Sequence, residues 1–160
     1  MNYYQQNQMM LLQNISMMKK QSIDDIMSYN QKTMVYGLSL TKQQALALME
    51  TRQNVLLKTK RLELRGNIIE QIIDAFYDSP FVSKANYEDI LHELIELFYE
   101  LKNETWDLIG DHDLICFMKK SFNHVCQGSL EILHDELSHL IEHVHLGGTI
   151  NDYHSPLEEQ

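Results

Sequence analysis

Apolar residues between positions 86 and 109 recur at the pitch of a helix. Tyr87, Ile90, Leu91, Leu94, Ile95, Leu97, Phe98, Leu101, Leu108 and Ile109 share one stripe, while Asp89, His92, Glu93, Glu96, Glu100 and Asn103 fill the opposite side. At about 1.5 Å per residue the segment spans about 35 Å, the width of a small domain. Other helices must cover that stripe, and the rest of the chain supplies them.

Near the N-terminus, Leu11, Leu12, Ile15 and Met18 make one stripe, and Met10 with Met17 a second, narrower one. Apolar side chains on two sides belong between two surfaces, so this segment is expected as a core helix with a frayed start at 5–8, or as a Met-rich arm gripping a second subunit. Ser22, followed by Asp24 and Asp25, is placed to cap a second helix through Ile23, Ile26, Met27, Asn30 and Met34 that Gly37 ends. After a short extended piece at 38–40, Thr41 and Gln44 form a capping box for a third helix with Ala45, Leu48, Met49, Val55 and Leu56 on its buried face.

Residues 62–65 alternate like a strand, but no second strand is within reach, so they read as a connector. Gly66-Asn67 leads into a fourth helix carrying Ile68, Ile69, Ile72, Ile73 and Phe76, which Asp78-Ser79-Pro80 stops. Asn86 caps the long fifth helix. A sixth carries Leu114, Ile115, Met118, Phe122 and Val125 up to Gly128. Ser129 caps a seventh with Leu130, Leu133, Leu137, Leu140, Ile141 and Val144, ended by Gly147-Gly148. The pattern predicts an all-α, single-domain bundle of about seven helices over 1–148 and a flexible C-terminal tail over 149–160.

Composition agrees with that class. The chain has 160 residues, 44% of them hydrophobic, with two Pro and six Gly, enough for one core without staples. Apolar runs such as Met9-Met10-Leu11-Leu12 are too short for a bilayer and lack a basic flank, so neither membrane span nor secretory signal is expected. Cys116 and Cys126 form no Cys-x-x-Cys pairing, and a reducing cytoplasm is the expected location. The net charge of −10 is uneven: 1–65 hold nine basic and four acidic residues, +5, whereas 66–160 hold four and nineteen, −15. Such halves attract each other within one molecule or between two, and an acidic surface argues against a nucleic-acid partner.

Three places carry candidate chemistry. Arg52 lies within the buried face of the third helix, where a guanidinium must be paired, reach out along its stem or hold an anion in an inter-helix pocket. Lys58, Lys60, Arg61 and Arg65 follow it and complement the carbonyls at that helix's end. His139-Leu140-Ile141-Glu142-His143 has the His-x-x-Glu-His spelling of a zinc peptidase, with histidines one turn apart. The phase turns both away from the apolar stripe and few residues follow to supply another ligand, so His139 and His143 make at most a weak metal site. The Glu-x-x-His pairs Glu131/His134, Glu136/His139 and Glu142/His145 share one helix and read as pointing away from its stripe, unlike the facing helices of a di-iron bundle. Cys126 is expected as a buried structural thiol. With no phosphate loop, nucleophile elbow or dinucleotide fingerprint, no catalytic residue and no cofactor is expected.

The run Leu40-Thr41-Lys42-Gln43-Gln44-Ala45-Leu46-Ala47-Leu48, the triplet Glu50-Thr51-Arg52, Phe76-Tyr77-Asp78-Ser79-Pro80-Phe81, Lys102-Asn103-Glu104 and Cys126-Gln127-Gly128-Ser129-Leu130-Glu131 resemble an uncharacterised bacterial family of small helical proteins of unknown function, over residues 38–133. The resemblance implies no activity, cofactor or site residue. The leading expectation is a non-enzymatic cytoplasmic protein acting through protein–protein contact, as a homodimer, with its Met-rich N-terminal helix as the docking element. The alternatives are a small-ligand or anion-binding module, or an enzyme, with its pocket beside Arg52, and a metal-binding protein using His139 and His143.

Overall fold

The structure, a computed structural model, describes residues 2–63 and 66–158 apart from the side chains of Asn14 and Ile15. Leu64 and Arg65, read above as part of a connector and of a basic cluster, lie outside the described residues, as does the position of Ile15 on its stripe. The helices are α1 (Tyr3–Ser28), α2 (Asn30–Thr33), α3 (Lys42–Lys58), α4 (Ile68–Phe76), α5 (Tyr87–Glu104), α6 (Asp111–Asn123) and α7 (Leu130–His145), with a 3-10 turn at Met34–Tyr36. No strand occurs among the described residues. The long helix foreseen from the apolar stripe is the central one: α5 packs against α3, α4, α6 and α7.

The all-α class stands, but among the described residues six helices of nine or more residues make the bundle rather than seven. The first two expected helices are one. Ser22 does not cap; its hydroxyl donates back to the Met18 carbonyl (3.0 Å), and no breaker interrupts the chain between Tyr3 and Ser28. The single turn of α2 and the 3-10 turn remain beyond it, closed by Gly37 at φ +76°. Asn30 fixes the extended piece that follows, bonding both the N–H (2.8 Å) and the carbonyl (2.9 Å) of Leu40 as a neighbouring strand would, so that Leu38 and Leu40 stay buried. Thr41 and Gln44 form the expected capping box at the start of α3.

α5 ends sooner than its apolar stripe suggested. The Thr105 hydroxyl donates to the Leu101 carbonyl (2.8 Å), and Trp106 and Asp107 take left-handed conformations at φ +56° and +58°, reversing the chain. Leu108, assigned to the stripe, is therefore exposed, while Ile109 returns to the core. Arg61 holds the reversal through two hydrogen bonds to Asp107 (3.0 and 2.6 Å).

The C-terminal segment, expected as a mobile tail, is laid against α6 and α7 over its described residues. Tyr153 meets Phe117 edge to face (centroids 5.5 Å apart), and Ser155 is buried. The physical reason is Glu136 on α7, almost fully buried at 1% exposure, whose carboxylate needs donors that only this segment brings.

Candidate functional site

Three structures compete as the functional site: the N-terminal part of α1, the polar contacts around Arg52, and the histidine-rich α7. The first begins at a capping box. The Asn2 side chain accepts from the Gln5 N–H (2.8 Å), and the Gln5 side chain accepts from the Asn2 N–H (3.2 Å). Only the last turns of α1 dock, through buried Ile23 and Ile26, against α3 and α4. Every described side chain from position 2 to 21 is exposed, Tyr3, Tyr4, Met9, Met10, Leu11, Leu12, Met17 and Met18 among them. Hence the core-helix reading of this segment is corrected: its described apolar side chains are exposed. Residues 2–18 also contain no Asp, Glu, Lys, Arg or His. That charge-free run was visible in the sequence and is the signal that separates an arm from an ordinary amphipathic helix, whose outer face carries charge.

Arg52 fastens α3 to its surroundings. Its Nη2 donates to the Glu63 carboxylate (2.9 Å) and carbonyl (3.1 Å), and its Nε to the Tyr99 hydroxyl (3.2 Å), which in turn donates to Glu63 (2.8 Å). Burial opposes the guanidinium's charge, yet Glu63 and Tyr99 outweigh it and hold the pKa above the ordinary arginine value. Gly66 belongs to this arrangement, because a Cβ there would lie 1.7 Å from Glu63 Oε1 and 3.1 Å from Arg52 Nη2. An open groove of about 620 Å³ lies alongside, walled by Met17, Met18, Gln21, Ser22 and Asp25 of α1 and by Arg52, Gly66 and Asn67. An anion entering it meets a guanidinium already neutralised by Glu63, with Asp25 on the opposite wall.

The same α3 face carries further contacts to α5. Gln44 donates to Glu88 (2.9 Å), Thr51 pairs with His92 Nδ1 (2.7 Å), and Lys58 reaches Glu100 (3.2 Å). The Glu50-Thr51-Arg52 motif is thus explained in part by packing, since Thr51 and Arg52 both bind side chains of α5. Glu88, His92 and Thr51 follow one another as acid, imidazole and hydroxyl, but the chain they form runs across the α3–α5 contact as a clasp.

On α7, His139 and His143 are both partly exposed. His143 Nε2 lies 2.6 Å from an Asp152 carboxylate oxygen and 3.0 Å from the Thr149 carbonyl. Both are acceptors, so that nitrogen carries the proton and has no lone pair to offer a metal. The pairing holds the Asp152 carboxyl below its ordinary pKa. Gly148 lets the ring sit there, since a Cβ would come within 2.2 Å of it. His145 donates to the Glu104 carbonyl (2.6 Å) and stacks on Trp106, centroids 4.3 Å apart. Among the described residues, no three His, Cys, Asp or Glu side chains are grouped to hold a metal ion.

The Glu-x-x-His reading needs one correction. Glu136 does not face away from the core; it lies three residues after Leu133 and four before Leu140, within the stripe itself. It accepts from Tyr153 (3.0 Å) and Ser155 (2.7 Å) beside a cavity of about 280 Å³ between α6, α7 and the C-terminal segment. Cys126 is buried, and burial, with the charge of Glu136 adding to it, pushes its thiol up to about 11, away from a reactive thiolate. Cys116 is an exposed free thiol on α6, its sulfur 3.5 Å from His112 Nε2. No helix of the described residues is long and apolar enough to cross a membrane.

A family model described as a family of unknown function, DUF6323, matches residues 25–149. The match extends beyond 38–133 on both sides and takes in the whole of α7, while the exposed part of α1 lies before it. No curated protein and no solved structure matches the chain.

Proposed function

The chain belongs to DUF6323, a family of unknown function, and from that premise we propose that this member works by protein–protein contact, as an adaptor or regulatory partner, with α1 as its docking element. The observation that carries the reading is the exposed, charge-free arm. Eight large apolar side chains stand in solvent on a helix whose docked part is limited to its last turns. Monomeric soluble proteins rarely expose so much contiguous apolar surface, and most helical stability in proteins comes from packing an apolar face, which this stretch lacks within its own chain. A protein that covers the arm answers both problems at once.

The polar clusters support the same reading from the other side. Arg52 is held by Glu63 and Tyr99, His143 by Asp152, and Glu136 by Tyr153 and Ser155. Each of these groups is taken up by contacts within the fold. Both cysteines are free thiols, which suits a reducing cytoplasm. Because the arm precedes the matched span, the proposal concerns this chain, with the bundle as the body it shares with its family.

Site-specific photo-crosslinking in the cells that make the protein tests this reading. With benzoylphenylalanine in place of Tyr4, irradiation is expected to give a covalent adduct of higher mass, and with the same group at exposed Asp113 on α6 none. A probe at Tyr4 that reacts with no protein would overturn the proposal.

A further inference from the structure

We infer that the arm's partner is a second copy of the chain, the two arms pairing antiparallel about a two-fold axis between Met10 and Leu11; the inference rests on the reading of the arm as a docking element. Large apolar residues come in adjacent pairs seven residues apart: Tyr3-Tyr4, Met10-Leu11 and Met17-Met18. Repeated every seven residues, the two rows stay on one side of the helix with Asn7 between them, a single face for one partner helix. All six side chains are exposed.

Run antiparallel, the repeat maps onto itself. Tyr3 and Tyr4 of one arm lie opposite Met18 and Met17 of the other, and Met10 lies opposite Leu11 on either side of the axis. The outer pairs are then aromatic–thioether contacts, which favour sulfur near the ring edge. The contact is isologous, so it closes at two subunits and leaves no free end to propagate. Six apolar side chains at about 100 Å² each give about 600 Å² per copy, about 1,200 Å² in all, the lower end of the range for specific interfaces.

Since residues 2–18 carry no charge, the net charge of −10 belongs to the remainder of the chain. Two copies meeting through their bundles would press acidic surfaces together. The arms are neutral over 2–18 with their described side chains exposed, and antiparallel pairing sets the two bundles at opposite ends of the joined helices. Parallel pairing would bring them side by side.

The experiment is sedimentation velocity on the full chain across the micromolar range, with the wild type and Leu11→Glu. The wild type is expected to pass from monomer to dimer with concentration. Leu11→Glu places two carboxylates at the axis and weakens association at least about a hundredfold. At concentrations where the wild type is monomeric its thermal midpoint equals the wild type's, because Leu11 is an exposed residue of the arm. Orientation is read in a Cys116→Ser background, Cys126 being buried. Mixed Tyr4→Cys and Met17→Cys chains are expected to form a heterodisulfide, and Tyr4→Cys alone none. A strict monomer, a dimer indifferent to Leu11→Glu, or a Tyr4→Cys homodisulfide would each overturn the inference. The photo-adduct at Tyr4 separates the two levels. Twice the chain mass is expected here, the mass of another protein sinks self-pairing and leaves the docking role, and no adduct sinks both.

Discussion

Glu70 sits in the first turn of α4 with its side chain buried and its Oε2 without a hydrogen-bond partner. Burial raises its pKa, the charge of Asp25 adds to the rise, and backbone amides at the helix start and Arg52 oppose it without cancelling it. A carboxyl whose pKa is higher in the folded state stabilises the fold below the unfolded value of about 4.3, and that contribution is lost as pH climbs through the folded value. At neutral pH the fold therefore carries a charge it disfavours. Glu70→Gln keeps the shape and removes the charge, so its melting temperature is expected above the wild type's at pH 7. The gap should close as pH falls below about 4, where the wild-type carboxyl is protonated in both states. Calorimetry at several pH values checks this; a gap of the opposite sign at pH 7, or one that persists in acid, contradicts it. Asp107 and Asp152 run the other way. Arg61 and His143 hold their pKa values down, so what they add is present above the unfolded value and fades as pH falls through the folded one.

Among the elements, the junction of α6 and α7 shows how closely one residue can set helix placement. Gly128 stands at φ +82°, and a Cβ on it would lie 2.5 Å from the Cβ and Cγ of Phe81, whose ring packs edge-on against Phe122 of α6. Neither carbon is the free end of a flexible side chain, so the clash cannot be relieved without moving the 79–82 turn or α7. Gly128→Ala is expected to cost about 3 kcal/mol and lower the melting temperature by about 10 °C. Gly110→Ala, at the N-cap of α6 with open space around it, should cost no more than about 1 kcal/mol. A denaturation midpoint for Gly128→Ala equal to that of Gly110→Ala would contradict the steric account. Elements were legible in the sequence where their cause is local. The Thr41–Gln44 box and the Gly37 stop are contacts within a few residues, and the α5 stripe is a repeat within one helix. What escaped depends on partners remote in sequence. Arg61 reaching Asp107 accompanies the early end of α5, and Glu136 draws Tyr153 and Ser155 out of solvent. The full length of α1 was missed because Ser22 bonds backward as readily as it caps, and its exposure because apolar spacing alone does not say whether anything lies opposite.

At the scale of the whole molecule, the +5 and −15 halves meet inside one chain. Lys32 pairs with Asp74 (2.5 Å), Lys58 with Glu100 (3.2 Å) and Arg61 with Asp107 (2.6 Å), each joining the basic half to the acidic one. Attraction between the halves is thus used within the fold, which leaves the arm, rather than opposed charges, as the surface for a second copy. The two possibilities differ in the sign of a salt effect. Antiparallel arms of about 24 Å between bundles of about 14 Å radius set the bundle centres about 50 Å apart. Two charges of −10 at that distance repel by about 1.5 kcal/mol at 10 mM salt, where screening acts over about 30 Å, and by almost nothing at 0.15 M, where it acts over about 8 Å. Dimerisation through neutral arms should therefore tighten about tenfold between those salt concentrations, whereas docking of a basic half on an acidic one would loosen. Sedimentation equilibrium at the two concentrations reads the sign directly. The thermal midpoint of the Leu11→Glu monomer should move little over the same range, because the three ion pairs that join the halves are at least partly solvent-exposed and contribute little each. A dimer that loosens with added salt would place the contact on the charged faces of the bundle and take it away from α1.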